Sequence, residues 1–377
     1  MKPTNSSYEI SDLTTLKPSL PSRSYYCADV YAAELENIWY RQWVCVCRSD
    51  VLVKPGEYRV FQLGTQSIIV VRDKHKALHA FHNTCAHRGS ILCENESGQF
   101  RANRLTCPYH RWSYDLSGKL IGVPYLETQG SEKHISLYNV ALQEYFGNVY
   151  INLDANTPFT LSDNADDKLE VLENWPLSDL LTVHTHEYKL ACNWKIFWEN
   201  FVECYHCPGI HPDLCSMIPL YKQSYAWSTE KLAEAGLQHG LATGVESWTS
   251  DGKPCGPTFA TLTEAELGQG HVFLSLLPTM FIVAHRDYVR QVSIMPLSAE
   301  QIGVRTEWLF SEEAIAAPGF DKKTAVDFVM QVLEEDARVC ELNQKGLKAL
   351  AHKQGRLVPQ EKDVFLFHQW YRKAMEM

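Results

Sequence analysis

The chain has 377 residues, enough for two domains and a sizeable core. Apolar residues make up 45% and charged residues 21%, an ordinary globular balance, and the net charge of −10 disfavours nucleic acid or an anionic membrane as partner. No apolar run approaches the roughly 20 residues that span a bilayer. The N-terminal stretch MKPTNSSYEISDLTTLKPS lacks an apolar signal core, so it reads as a frayed arm on a cytoplasmic protein.

In chain order, residues 31–43 have the apolar spacing of a helix. Residues 58–63, 67–72 and 77–82 read as short strands, with turns at Gly64-Thr65 and Asp73-Lys74. Residues 140–153 add two more strands around Gly147-Asn148. These place a β-rich domain at 45–155, preceded by an arm and helix, 1–44, packing on a second domain at 156–377. A polar linker covers 157–167. Beyond it, 186–192 reads as a strand and 194 to about 206 as a helix broken by Pro208-Gly209. Residues 271–284, 287–296 and 303–311 read as long antiparallel strands, and 321 to about 346 as a long helix. The expected class is α+β, an antiparallel sheet covered by helices behind an all-β domain.

Twelve cysteines are spaced unlike a disulfide framework, and in a reducing compartment clustered Cys favours metal. Cys45, Cys47, Cys192, Cys204, Cys207 and Cys340 sit among apolar neighbours and read as small core hydrophobes. Two pairs differ: Cys85-Ala86-His87-Arg88-Gly89 and Cys107-Pro108-Tyr109-His110-Arg111-Trp112, with nineteen residues between them. A [2Fe-2S] centre with two thiolates on one iron and two imidazoles on the other needs this mixed set. The His pair raises its potential by roughly several hundred millivolts. Zinc is the competing reading, but zinc quartets more often pair Cys with Cys and His with His, and zinc leaves the flanking Arg-Gly and Trp112-Ser113-Tyr114 unexplained.

A second set follows Trp194. Asn200, Glu203 and His206 are three apart, so one helical face would present them, and Pro208-Gly209 would fold His211 back beside His206. Two imidazoles and one carboxylate on one face of an iron leave positions open for O2. Two His five apart form a weak motif alone; they gain weight because an electron-donating cluster in the same chain needs an acceptor. Asp336, on the apolar side of the long helix, is the best third ligand. Glu334 falls off that side, while Glu335 stays open.

The motifs CAHRGS, CPYHRWSYDLSGKL, NWKIFWENFVECYHCPGIHP and EEDARVCELNQKGL together resemble the oxygenase (α) component of the Rieske non-haem iron oxygenases. The resemblance covers the chain from residue 31 to its C-terminus. It implies an N-terminal Rieske domain and a C-terminal catalytic domain of helix-grip type. It implies cluster ligands Cys85, His87, Cys107 and His110, and iron ligands His206, His211 and Asp336, with Asn200 near the iron. The gap between the cluster pairs is longer than usual, and residues 93–104 are expected to form an enlarged surface loop. An acidic residue at the place of Glu203 joins a cluster His of one subunit to an iron His of the next, implying a head-to-tail homotrimer. Ring-hydroxylating dioxygenases mostly carry Asp there; Glu marks the branch acting on choline, glycine betaine and carnitine.

The expected activity is therefore hydroxylation or N-demethylation of a quaternary ammonium compound with O2. Electrons would come from NAD(P)H through a separate flavin or iron–sulfur reductase, since no G-x-G-x-x-G follows a strand here. Aromatic faces bind such cations, and Phe197, Trp198, Tyr205, Trp248, Phe273, Phe281 and Tyr288 are the candidate walls. Two other readings compete. An aromatic-acid hydroxylase or O-demethylase would pair its substrate's carboxylate with Arg286 or Arg290. A Rieske electron-transfer protein would need no second site.

Overall fold

The computed structural model describes residues 15–126, 134–161, 169–223 and 240–377. Ile68-Ile69-Val70-Val71 is buried on both faces, so its strand lies inside a sheet and not at an edge. The N-terminal half is built from β2 (Val44–Arg48), β3 (Glu57–Leu63), β4 (Gln66–Arg72), β5 (Leu78–His82), β6 (Ser97–Gln99), β10 (Asn139–Tyr145) and β11 (Asn148–Asn152). They form one seven-stranded sheet in the order β2-β11-β10-β5-β4-β3-β6. A small sheet of β7 (Arg104–Thr106), β8 (Ser113–Asp115) and β9 (Leu120–Gly122) covers one end. The expected surface loop at 93–104 is mostly exposed and carries the edge strand β6.

The C-terminal half is a five-stranded antiparallel sheet, β12-β16-β15-β14-β13. Its strands are β12 (Leu181–Leu190), β13 (His271–Leu276), β14 (Met280–His285), β15 (Val289–Ser298) and β16 (Gln301–Phe310). Helices α2 (Trp194–Phe201), α3 (Cys207–Ile210), α4 (Pro212–Met217), α5 (Lys323–Gly346) and α6 (Lys362–Ala374) follow in chain order. One apolar core runs from Ile68 and Val149 in the first sheet to Trp194 and Trp198 in α2 and Val292 in the second, so the halves share an interior. Among the described residues no helix is long and apolar enough to cross a membrane.

Several expectations are corrected. The stretch 271–284 is a hairpin, because Pro278 cannot donate to a ladder and the chain reverses there, pairing Leu276 with Met280. The strand expected at 186–192 starts at Leu181, because β16 is long enough to pair it from Leu181 to Leu190. The helix after Trp194 ends at Phe201, well short of His206. Pro208 does not break it; it sits in the first turn of α3, where a missing N–H costs nothing. The first helix runs over Ala28–Glu34 and widens through Leu35–Trp39, leaving 40–43 outside it. Of the expected frayed arm, residues 1–14 lie outside the described residues. Lys17–Pro21 (β1) is instead paired with Gln354–Leu357 (β17). The linker is coil to residue 161; 162–167 lie outside the described residues.

Helix α2 is fixed at its start. The Asn193 side chain accepts the Lys195 N–H at 3.0 Å, and the Asn193 N–H donates to Gln344 of α5 at 2.8 Å. Lys195 is fully buried against Glu34 of the first helix at 2.5 Å. Trp194 Nε1 and Tyr371 Oη of α6 also donate to Glu34, each at 2.8 Å. Both carboxylate oxygens are thereby hydrogen-bonded, which is what a buried ion pair requires. Glu34→Ala, leaving the Lys195 ammonium buried and unpaired, is expected to cost about 3–5 kcal/mol. Glu34→Leu with Lys195→Met should recover only part of it, because Trp194 Nε1 and Tyr371 Oη stay buried without their acceptor, measured as the shift in chemical unfolding midpoint.

Candidate metal centres

Cys85 and Cys107 open two similar tight turns. The Cys85 N–H donates to Ser90 O at 2.8 Å and the Gly89 N–H to Cys85 O at 2.9 Å. In the other turn the Cys107 N–H donates to Trp112 O at 2.8 Å and the Arg111 N–H to Cys107 O at 3.1 Å. Gly89 takes φ +76°, a left-handed conformation that glycine adopts freely. The turns bring the four residues together as two pairs. The buried side chains of Cys85 and Cys107 lie together in one small core. The imidazoles of His87 and His110 meet edge to face at 4.8 Å between centroids.

Trp112 stacks on His87 at 4.5 Å, which gives the flanking tryptophan a role. Tyr114 Oη lies 3.2 Å from Cys85 Sγ. Burial pushes the Cys107 thiol up, but the N–H groups of His110 and Tyr109 aimed at its sulfur outweigh this and bring it below its ordinary value. Burial dominates at Cys85, which is raised. His110 Nδ1 is buried and has no hydrogen-bond partner. Two sulfurs on one side, two imidazoles on the other and an orphaned ring nitrogen fit a [2Fe-2S] cluster ligated from both ends.

The second centre is built from the loop after α2. Beyond Phe201 the Glu203 carboxylate accepts the N–H groups of Tyr205 and His206, the latter at 3.1 Å, and turns the chain. It also accepts from His206 Nδ1 at 2.5 Å. His211 Nδ1 donates to Glu335 of α5 at 2.7 Å. With both Nδ1 atoms engaged, both Nε2 atoms turn to one point. They lie 3.2 Å apart, and Asp336 Oδ1 is 2.9 Å from His211 Nε2 and 3.4 Å from His206 Nε2. Among the described residues this is the one set of three His, Cys, Asp or Glu side chains whose donor atoms all lie within 4.8 Å.

Burial alone would lower the His206 imidazole and raise the Asp336 carboxyl. The hydrogen bond between them, joined by Cys207 and Glu203 at His206 and by His211 at Asp336, reverses both: His206 rises to about 12 and Asp336 falls to about 2. A field that attracts protons this strongly also attracts a divalent cation. Two imidazoles and a carboxylate meeting from one side are the donor set of a non-haem iron.

The three-apart reading of Asn200, Glu203 and His206 gives way to this loop geometry. Asn200 lies in the last turn of α2 with Nδ2 3.5 Å from His206 Nε2, while Glu203 and His206 lie past the helix. Glu335 is the residue that sequence reasoning left open as a ligand; it holds His211 by the far nitrogen.

A small, mostly apolar pocket adjoins Asp336, lined by Tyr188, Phe197, Asn200, Phe201 and Phe281 among others. Phe197 and Phe281 were anticipated; Tyr188 and Phe201 were not, though Phe201 lies one helical turn from Phe197. Phe273 touches the pocket only through Phe201, at 5.9 Å. Trp198 is buried with its N–H on Pro278 O. Tyr288 is buried with its hydroxyl on Trp248 O. Both belong to the core, because each indole or phenol found a backbone acceptor away from the pocket. Tyr205 is 48% exposed. Arg286 pairs with Glu246 at 3.0 Å, whereas Arg290 is buried.

Residues 42–144 match the Rieske [2Fe-2S] domain family, and residues 177–377 match the ring hydroxylating alpha subunit (catalytic domain) family. The chain is 27% identical over 390 residues to the glycine betaine monooxygenase oxygenase subunit of Pseudomonas aeruginosa, covering 95% of this chain and 89% of that one. It is 29% identical over 352 residues to the carnitine monooxygenase oxygenase subunit of Escherichia coli, covering 90% and 87%. The fold is similar to a crystal structure of the quaternary ammonium Rieske monooxygenase CntA with L-carnitine, at TM-score 0.71 and 21% identity over 97% of each chain. With a Rieske domain in front and a catalytic domain matched over more than half its length, the chain belongs to the ring-hydroxylating α subunits, the oxygenase subunits of Rieske non-haem iron enzymes.

Proposed function

We propose that this chain is the oxygenase component of a two-component monooxygenase that hydroxylates or N-demethylates a quaternary ammonium compound. The observation that carries the reading is the His206, His211 and Asp336 triad opening onto an aromatic pocket. The glycine betaine and carnitine enzymes among its relatives support the substrate class. Cys85, His87, Cys107 and His110 would hold the cluster, and His206, His211 and Asp336 the mononuclear iron. When bound, the cluster supplies single electrons at a raised potential and the iron supplies the chemistry that activates O2. A separate reductase provides the electrons from NAD(P)H.

The chain's own residues do the rest. Glu203 and Glu335 hold each imidazole by Nδ1 and leave Nε2 as the free donor. Phe197, Phe201, Phe281 and Tyr188 keep the approach to Asp336 apolar and offer ring faces to an N-methyl cation. Glu203 has a further role in this reading, linking the His206 of one subunit to the cluster of the next in a head-to-tail homotrimer. Tyr205, 48% exposed, and Tyr109, 60% exposed, flank the two sites as uncovered aromatic surface of the kind such an interface would bury.

With a reductase and NAD(P)H, a methylated betaine should release formaldehyde or give a hydroxylated product. His206→Ala should abolish this and the mononuclear iron while keeping the cluster's visible spectrum; full activity in that variant would remove the triad. Glu335→Ala should weaken mononuclear metal binding about 10–100-fold, read by metal content after dialysis against a graded chelator. Glu203→Gln should slow NAD(P)H-driven turnover about 10–100-fold with both metals retained, followed by single-turnover reoxidation of the cluster.

A further inference from the structure

Arg290 on β15 is 4% exposed. Among the described residues it forms no ion pair, and its Nε is buried with no hydrogen-bond partner. A buried guanidinium without an opposite charge beside it is costly to keep and is seldom retained for packing alone. Arg290 does not lie in a neutral corner. Its guanidinium carbon sits 5.8 Å from the ring centre of Phe281, a wall of the pocket beside Asp336, and 5.9 Å from that of Trp248. Cation–π contact of this kind offsets part of the burial but gives the Nε–H nothing to donate to.

The surroundings repeat the pattern. Trp308 is the cross-strand neighbour of Arg290, so both point to the same face of the sheet, the face covered by α2 and α5. The indole N–H groups of Trp308 and Trp248 are both buried without an acceptor. Indole and guanidinium can only donate. Three donors without a partner, one of them charged, are best met by a group that both accepts and carries the opposite charge, which the neutral imidazole of His285 beside Trp248 does not, and a carboxylate is that group.

We propose that Arg290, with the indole N–H groups of Trp248 and Trp308, binds a carboxylate at the end of the substrate remote from the metal triad. The substrate class is then a zwitterion, a quaternary ammonium joined to a carboxylate by a short chain. The assignment rests on the quaternary ammonium reading and narrows it, because it excludes the alcohol-bearing cations. Phe281 lines the pocket beside Asp336 and its ring also meets the Arg290 guanidinium, so the two regions adjoin through one side chain.

Glycine betaine and choline separate the possibilities, since they differ at one end as carboxylate against hydroxymethyl. Dissociation constants for both are measured on the metal-loaded oxygenase, wild type and R290Q, with the cluster spectrum as a check on folding. The wild type should bind glycine betaine about 100-fold more tightly than choline, and R290Q should narrow that ratio to within about threefold. R290K, which keeps the charge but not the planar fork, should restore part of it. Should R290Q not fold, the wild-type ratio still decides: choline bound as tightly as glycine betaine overturns the proposal, as does an unchanged ratio in a folded R290Q. Arg290-dependent turnover of benzoate, with every betaine idle, would keep the carboxylate anchor but overturn the zwitterion and the quaternary ammonium reading together.

Discussion

Both histidines of the second centre are held by the nitrogen that faces away from it. Glu203 takes Nδ1 of His206 and Glu335 takes Nδ1 of His211, and the Nε2 atoms are left 3.2 Å apart with Asp336 Oδ1 closing a triangle with them. This constraint organises the surrounding fold. Consecutive residues on a helix point about 100° apart, so Glu335 and Asp336 reach different nitrogens of the same ring. His211 is thereby gripped from two sides by one turn of α5, and its ring cannot rotate without losing both contacts. His206 is held more locally, by a carboxylate three residues earlier that also takes two backbone N–H groups of the same loop.

That loop exists only because α2 stops at Phe201. A helix continued to His206 would keep its backbone N–H groups in the ladder and leave Glu203 nothing to turn. The start of α2 is equally fixed, by the Asn193 cap, by Gln344 of α5, and by the buried Glu34 and Lys195 pair. The same α5 that supplies Gln344 supplies Glu335 and Asp336 about two and a half turns earlier. Helix α2 and helix α5 are therefore registered against each other at one end so that their side chains meet at the other. The cluster turns have a separate small core, with Cys85, Cys107 and Tyr114 packed on Phe81 and Leu105, and none of its buried members belongs to the core around α5.

What could be read from the sequence divides along the same line. The cluster quartet was legible because each pair lies within one turn and the residue types alone declare the chemistry. The strands of the first sheet were legible because Gly64 and Asp73 mark their turns. Asp336 was legible as a candidate from its place on the apolar side of its helix and was strengthened by family resemblance, since 125 residues separate it from His211 and spacing cannot join them. The end of α2 was hidden, because what stops it is a side chain bonding to backbone, invisible to apolar periodicity. Pro278 could have revealed the hairpin, and the run Glu334-Glu335-Asp336 held the signal for a second carboxylate. Aromatic content was the poorest guide to the pocket, because Trp198 and Tyr288 satisfy their polar atoms elsewhere and are simply core.

The pocket's charges explain more than its aromatic walls do. Asp336, Glu203 and Glu335 gather three carboxylates at one end, one more negative charge than a divalent metal with neutral imidazoles would cancel. Arg290 puts a positive charge at the other end, close enough to Asp336 for each to act on the other. Between them lie Phe281 and its neighbours, where little screens the field. A molecule with its cation and anion at opposite ends is turned by such a field in one direction, ammonium toward the triad and carboxylate toward Arg290. In the proposed assignment the carbon presented to the triad would be an N-methyl or its neighbour, set by the charges at the two ends together with the aromatic walls.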